Sequence, residues 1–159
     1  MKSEPDVYSI DQLKADGKTL WTGVRNYQAR NFMSRPTHGT EKLGIEKPRM
    51  QIGDLAFFYH SNAKPPGIAG LAEIINLGVP DPTQFDPTSE YFDPKATKEK
   101  PIWFCAEVKF VKKFSKFLAL DEIRKIKGCK TMLLLKKGSR LSISPVSPIE
   151  SRALMDRLC

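Results

Sequence analysis

From residue 102 to 111 the side chains alternate. Ile102, Phe104, Ala106, Val108 and Phe110 fall on one face, and Trp103, Cys105, Glu107 and Lys109 on the other. A period of two is the mark of a strand that rests one face on a core. Such a strand needs paired neighbours and a second layer, because a lone ribbon buries too little. Residues 55–59, entered through a Gly53-Asp54 turn, form a short apolar run suited to a buried strand. Asn62, Pro65, Pro66 and Gly67 then mark a hairpin loop, and 68–77 reads as the returning strand. Within it, Gly70 permits close approach of another backbone. Residues 1–5 read as an edge strand ended by Pro5, and 141–145 as a last strand.

Helix signals lie between these strands. Ser9 and Gln12 have capping-box spacing, so a helix is expected from there to about residue 16, with Leu13 in the core and Gly17 as its stop. A second short helix opens at Asn26 and runs past Met33. Residues 120–127 look helical, with Gly128 at the end and lysines in the last turn that suit the dipole. Residues 132–135 end at Gly138 in a similar way. Ser147, Pro148 and Glu150 place a cap, a first-position proline and a capping-box acid in order. That final helix presents Ile149, Ala153 and Leu154 as its apolar face. Strands at both ends with helices interspersed give an α+β class.

At 159 residues, with 40% hydrophobic and 28% charged, the chain is sized for one globular domain with a real core. It contains no repeat, low-complexity tract or dividing linker. No apolar run approaches the ~20 residues that span a bilayer, so no membrane partner is expected. No charged-then-apolar leader opens the chain. Cys105, Cys129 and Cys159 are odd in number and lack metal-ligand spacing, which points to free thiols in a reducing, intracellular compartment.

The stretch 21–31 departs from core-helix patterning. It holds Trp21, Gly23, Arg25, Asn26, Tyr27, Gln28, Arg30 and Asn31, so flat faces, forks and amide edges replace apolar positions. These are the groups that hold a planar heterocycle. They are also the groups of a buried polar knot fastening a turn to a sheet. Charge is one-sided as well. Residues 1–100 carry 13 Lys and Arg against 13 Asp and Glu, and 101–159 carry 13 against 5, so the whole net charge of +8 lies in the second part. Such a field attracts phosphates or another anionic surface, although a solvated lysine face has the same composition.

Several motifs in a fixed order carry a resemblance. They are Lys2-Ser3-Glu4-Pro5, Trp21-Thr22-Gly23-Val24-Arg25-Asn26-Tyr27-Gln28-Ala29-Arg30-Asn31, Gly53-Asp54 and Phe57-Phe58-Tyr59-His60-Ser61. Gly67-Ile68-Ala69-Gly70, Asp81-Pro82-Thr83, Phe92-Asp93-Pro94, Trp103 and Arg140-Leu141-Ser142-Ile143 follow. Together they resemble the EVE domain family across nearly the whole chain. Residues 36–50, rich in Pro, Gly and Lys, exceed that family's usual connection and read as a surface loop insertion. The resemblance implies a PUA-like fold, a curved mixed β-barrel flanked by short helices, as one domain over 1–159. It also implies a non-enzymatic reader of a modified base, methylated or hydroxymethylated, in DNA or RNA, and favours the nucleus over the cytoplasm; a monomer without cofactor is expected.

A reader needs aromatic faces, edge-recognising groups and cations. Trp21, Tyr59 and Phe92 supply the first. Ser3, Asn26, His60, Ser61 and Thr83 supply the second, with Pro82 beside them. Lys2 and Thr22 fall where related readers have a rim and cage. Arg25 either joins the pocket or braces it through Glu4. Arg30, Lys109, Lys112, Lys113 and Arg140 are the candidates for phosphates. Two other readings stay open. One is an enzyme on a nucleotide or small heterocycle with His60 as acid or base. The other is a basic module that docks an acidic protein. His38 is the only other histidine, so neither a metal site nor a catalytic set is expected. Neighbouring strand residues point to opposite faces, so His60 and Ser61 do not form a nucleophilic pair.

Overall fold

The computed structural model describes residues 1–34 and 49–159. In chain order the elements are β1 (Lys2–Ser3), α1 (Ile10–Asp16), β2 (Lys18–Leu20), α2 (Tyr27–Met33), β3 (Leu55–His60), β4 (Gly67–Pro80), β5 (Phe104–Ala119), α3 (Leu120–Ile123) and α4 (Pro148–Leu158). Short 3₁₀ turns cover Pro82–Phe85, Lys127–Cys129 and Leu133–Leu135. The class is α+β. The expected loop insertion at 36–50 lies, apart from its last two residues, outside the described residues.

The five strands form one mixed sheet in the order β1-β3-β4-β5-β2. β1 runs parallel to β3, and the other neighbours are antiparallel. Four register shifts along β4 and β5 insert unpaired residues, and such bulges bend and coil a long ribbon. β1 and β2 are the two edges and do not pair, so the described sheet is open. The closed barrel implied by the resemblance is therefore not formed by strand pairing among the described residues.

Two clusters of buried side chains sit on this curved sheet. Ile10 and Leu13 of α1, Ala29 and Met33 of α2, Trp21, Phe58, Ile74 and Val108 belong to the first. Ile68, Phe114, Leu118, Ile123, Cys129, Leu154 and Leu158 belong to the second, under α3 and α4.

Caps hold the helices as their sequences require. The Ser9 side chain accepts from the Gln12 amide at 3.1 Å, but the Gln12 side chain donates to Asp16 and leaves the capping box half made. At α4 the box is complete, with the Ser147 amide donating to Glu150 Oε2 at 2.8 Å and the Glu150 amide to Ser147 Oγ at 3.3 Å. Three expectations change. The 120–127 helix shortens to α3. Of the expected apolar face of α4, Leu154 and Ala153 pack on the second cluster, whereas Ile149 is 74% exposed and Leu158 takes its place. Residues 141–145 form no strand, although the Ser142 carbonyl accepts the Lys2 amide at 2.8 Å.

Candidate nucleic-acid interface

The end of β1 and the chain leaving β2 face each other across a cleft. The β1–β3 pairing and a bond from the Ser61 amide to the Ser3 carbonyl, 2.9 Å, fix Lys2 and Ser3 at the sheet edge. The Lys2–Ser142 bond draws 140–142 alongside. Opposite, the Trp21 amide donates to the Ala106 carbonyl at 2.8 Å, extending the β2–β5 contact by one residue. The chain then turns at Gly23, whose φ of +80° is a conformation glycine adopts without strain. The cleft between measures about 670 Å³. Lys2, Ser3, Glu4, Ser61, Arg140 and Ser142 line one side, and residues 19–24 the other. Val7, Tyr8, Glu90 and Tyr91 complete its lining. This is the size of a small-ligand site, and its lining is mixed, with charged and hydroxyl groups beside the Trp21 and Tyr91 rings.

A clasp fixes the loop that carries Tyr91. Arg25 Nη1 pairs with Asp81 Oδ2 at 2.9 Å, its Nη2 donates to Thr83 Oγ1 at 2.9 Å, and its Nε to the Tyr91 carbonyl at 2.9 Å. Asp81 also accepts the Gly23 amide at 2.8 Å and both the amide and hydroxyl of Thr83. Burial alone would raise the Asp81 carboxyl. The bonds from Thr83, Arg25 and Gly23 outweigh it and hold the group below its ordinary value. A Cβ on Gly23 would meet the Tyr91 ring at 2.8 Å, so the ring lies directly on this glycine. Arg25 is therefore a brace, and its partner is Asp81 rather than Glu4.

Trp21 belongs to both the core and the cleft. It is only 7% exposed and packs edge-on against Phe58 at 5.4 Å, yet it lines the cavity. Thr22 beside it is exposed. Burial lowers the Lys2 ammonium from its ordinary value. Lys2, Ser3, Trp21, Thr22, Ser61 and Arg140 thus come together at one site.

Other candidates stand elsewhere. Asn26 caps α2, its Oδ1 accepting the Ala29 amide at 3.1 Å. Pro82 opens the first 3₁₀ turn, and Thr83 serves the clasp. Tyr59 is buried in the second cluster and lines a separate cavity of about 320 Å³ with Phe57, Ile68, Met132 and Ile143. That cavity shares only Lys2 and Ser142 with the cleft. His60 Nε2 accepts the Ile10 amide at 3.1 Å, and burial lowers its pKa. Phe92 is exposed outside the cleft lining. Arg30 donates to the Ile102 carbonyl at 2.9 Å and lies over the Tyr27 ring. Tyr27 in turn stacks on Trp103 at 4.9 Å, and Trp103 Nε1 donates to Asp93 at 2.7 Å. Lys113 pairs with Asp11 at 2.7 Å, Lys112 lies over Phe114, and Lys109 is exposed on β5 opposite Glu73 and Lys18.

Tyr8, Glu90 and Tyr91 are cleft residues that no local pattern singles out. The Asp81-Pro82-Thr83 turn signal marks Asp81 as a cap, and Gly23 marks a close approach without saying of what. Among the described residues there is no group of three His, Cys, Asp or Glu suited to a metal ion, and no helix long and apolar enough to cross a membrane.

A family model described as the EVE domain matches residues 1–157. Thymocyte nuclear protein 1 of Homo sapiens is 39% identical over an alignment covering 94% of this chain and 68% of that protein. The Gallus gallus protein of the same name is 38% identical, covering 94% and 64%. The chain spans about two thirds of the length of these curated relatives. Among solved structures, a protein from Pseudomonas syringae superposes with a TM-score of 0.87 at 42% identity, covering 100% of this chain and 97% of that one. Human THYN1 protein, solved in complex with 5-methylcytosine-containing DNA, superposes with a TM-score of 0.84 at 36% identity, covering 99% and 94%.

Proposed function

Because the chain belongs to the EVE domain family, we propose that it is a non-enzymatic DNA-binding module that receives a methylated cytosine in the cleft beside Trp21. The observation that carries this reading is the 670 Å³ cleft, which gathers aromatic, hydroxyl and cationic groups between the two edge strands of the open sheet. The methylcytosine complex of a similar domain supports the choice of ligand. A base enters such a cleft only after leaving the stack. Trp21 and Tyr91 offer aromatic surface, and stacking on such surface is worth about 1–3 kcal/mol per base. Ser3, Thr22, Ser61 and Glu90 offer donors and acceptors to the base edge, and Lys2 a cation. The module acts as a monomeric single domain, and the names of its relatives support a nuclear location.

Acid–base catalysis is disfavoured by the commitment of His60. Its Nε2 lone pair is taken by the Ile10 amide, and its ring lies outside the cleft lining. The methyl group itself supplies a modest increment. Burying one such carbon is worth about 0.8 kcal/mol, or roughly fourfold in affinity.

The test is binding to matched DNA carrying cytosine, 5-methylcytosine, 5-hydroxymethylcytosine or N6-methyladenine. The wild type is expected to favour 5-methylcytosine over cytosine by roughly fourfold or more. Thr22→Trp, an exposed change that fills the cleft, is expected to abolish that preference while circular dichroism stays native. Equal affinity of the wild type for both cytosines, or a preference undiminished in Thr22→Trp, would sink the proposal.

A further inference from the structure

Arg140 lines the cleft and stands at the end of a short basic turn. Lys136, Lys137, Gly138, Ser139 and Arg140 follow the last 3₁₀ turn, and the Ser139 amide donates to the Lys136 carbonyl at 3.1 Å. Gly138 takes φ +77°, as the third position of a type II turn demands. Lys136, Lys137 and Arg140 are all exposed, and none has an ion-pair partner among the described residues. The sequence adds a second observation. Residues 131–149 contain no Asp or Glu, so this segment's charge is uncompensated locally. The acid that follows, Glu150, is committed to the Ser147 amide and the Thr131 hydroxyl.

Two of the four β5 lysines differ. Lys113 is held by both oxygens of Asp11, at 2.7 and 2.8 Å, and Lys112 lies over the Phe114 ring. A cation already in a local pair releases less on meeting a phosphate.

We infer that the 136–140 turn is the phosphate clamp of the cleft, contacting the DNA backbone beside the nucleotide whose base enters. The inference rests on the proposed reader function for its choice of polymer. The turn keeps the Cα atoms of Lys136 and Ser139 within about 7 Å, so those of Lys136 and Arg140 lie within about 11 Å. That matches roughly three nucleotides of one strand at about 3.4 Å of axis each. Glu4 and Glu90 in the cleft wall repel phosphate and leave the interior to the uncharged base. The turn is joined to the base site through covalent chain. Arg140 is two residues from Ser142, whose carbonyl holds the Lys2 amide.

The experiment measures the salt dependence of binding to a short DNA duplex, with and without one central 5-methylcytosine. Each phosphate contact contributes about 0.9 to the slope of log affinity against log salt. The Lys136→Gln, Lys137→Gln pair is expected to reduce that slope by about 1.8, and Arg140→Gln by about 0.9 more. Lys116→Gln with Lys125→Gln removes the same charge elsewhere and is expected to leave the slope unchanged. The ratio of affinities for the two duplexes is expected to survive in the Lys136, Lys137 variant. An unchanged slope in the turn variants, or an equal fall in the Lys116, Lys125 variant, overturns the clamp. A reduced slope with no methyl preference in the wild type supports the clamp and removes the base-reading function instead.

Discussion

Asp81 is 1% exposed and makes four hydrogen bonds, so its charge persists only because each bond is satisfied. Removing one partner of a buried pair costs far more than the pair contributes, because the other charge stays desolvated. Asp81→Ala is expected to lower stability by about 3 kcal/mol, the low end for buried pairs since Arg25 is partly exposed. Urea unfolding checks this, and a loss below about 1 kcal/mol, the range of exposed pairs, would show the clasp to be marginal. Arg25→Lys should not rescue binding, because one ammonium cannot serve Asp81, Thr83 and the Tyr91 carbonyl together. His60 makes a second residue-scale prediction, through pH. Its pKa lies below 6.5 mainly because burial disfavours the imidazolium, with Asp11 opposing and Lys113 adding to that effect. The unfolded chain therefore takes up the proton first. The stabilisation is complete above about pH 6.5 and is lost as pH falls through and below that value. The melting temperature should fall as pH drops below about 6.5, and His60→Gln should flatten the fall. An unaltered profile in His60→Gln would remove His60 as its source.

At the scale of elements, α1 is seated by two contacts far from its own sequence. The Ile10 amide meets His60 on β3, and the Ile10 side chain fills the space where a Cβ on Gly70 of β4 would stand, 2.7 Å away. Gly70→Ala would also press on the Lys112 carbonyl, so overpacking should cost about 1–3 kcal/mol. Hydrogen exchange at the Leu13 and Lys14 amides should quicken more than the global loss explains. Unchanged local exchange would mean that the seat yields without strain. The same elements show what the sequence made legible. The alternation at 102–111 located the first half of β5, the caps at Ser9 and Ser147 located two helix starts, and Asn26 marked the opening of a third. The second half of β5 carries Lys112, Lys113 and Lys116, which read as a solvated run because bulges break the period of two. β2 has three residues, too few to show a period, and exists through its pairing with β5. Leu141, Ile143 and Pro145 alternate like a strand, yet only the Ser142 carbonyl finds a sheet partner. In the cleft, local motifs pointed to Lys2, Ser3, Trp21, Thr22, Ser61 and Arg140. The bonds of Arg25 to Asp81 and Tyr91 stayed hidden because they span 56 and 66 positions, a relation that no local pattern expresses.

The whole molecule couples these parts through β4 and β5, which extend beneath both buried clusters. Ala72, Ile74, Ala106 and Val108 pack in the first cluster, and Ile68, Leu71, Phe114 and Leu118 in the second. Strands shared in this way should make the two clusters unfold together. Each cluster has its own reporter. Trp21 fluorescence, read in a Trp103→Phe background, follows the first, and thiol labelling of buried Cys129, read in a Cys105→Ala, Cys159→Ser background, follows the second. Their denaturation midpoints should coincide. The cleft sharpens the test, since its lining comes from residues 2–8, 19–24, 61, 90–91 and 140–142, segments at both ends of the chain. A ligand held there binds the folded state alone. At one hundred times its dissociation constant it should stabilise that state by about 2.7 kcal/mol. With methylated DNA present, both reporters should therefore shift together and by the same amount. If Trp21 moved while Cys129 did not, the second cluster would be a separate cooperative unit, and the 136–140 turn would have to meet DNA without support from the helices behind it.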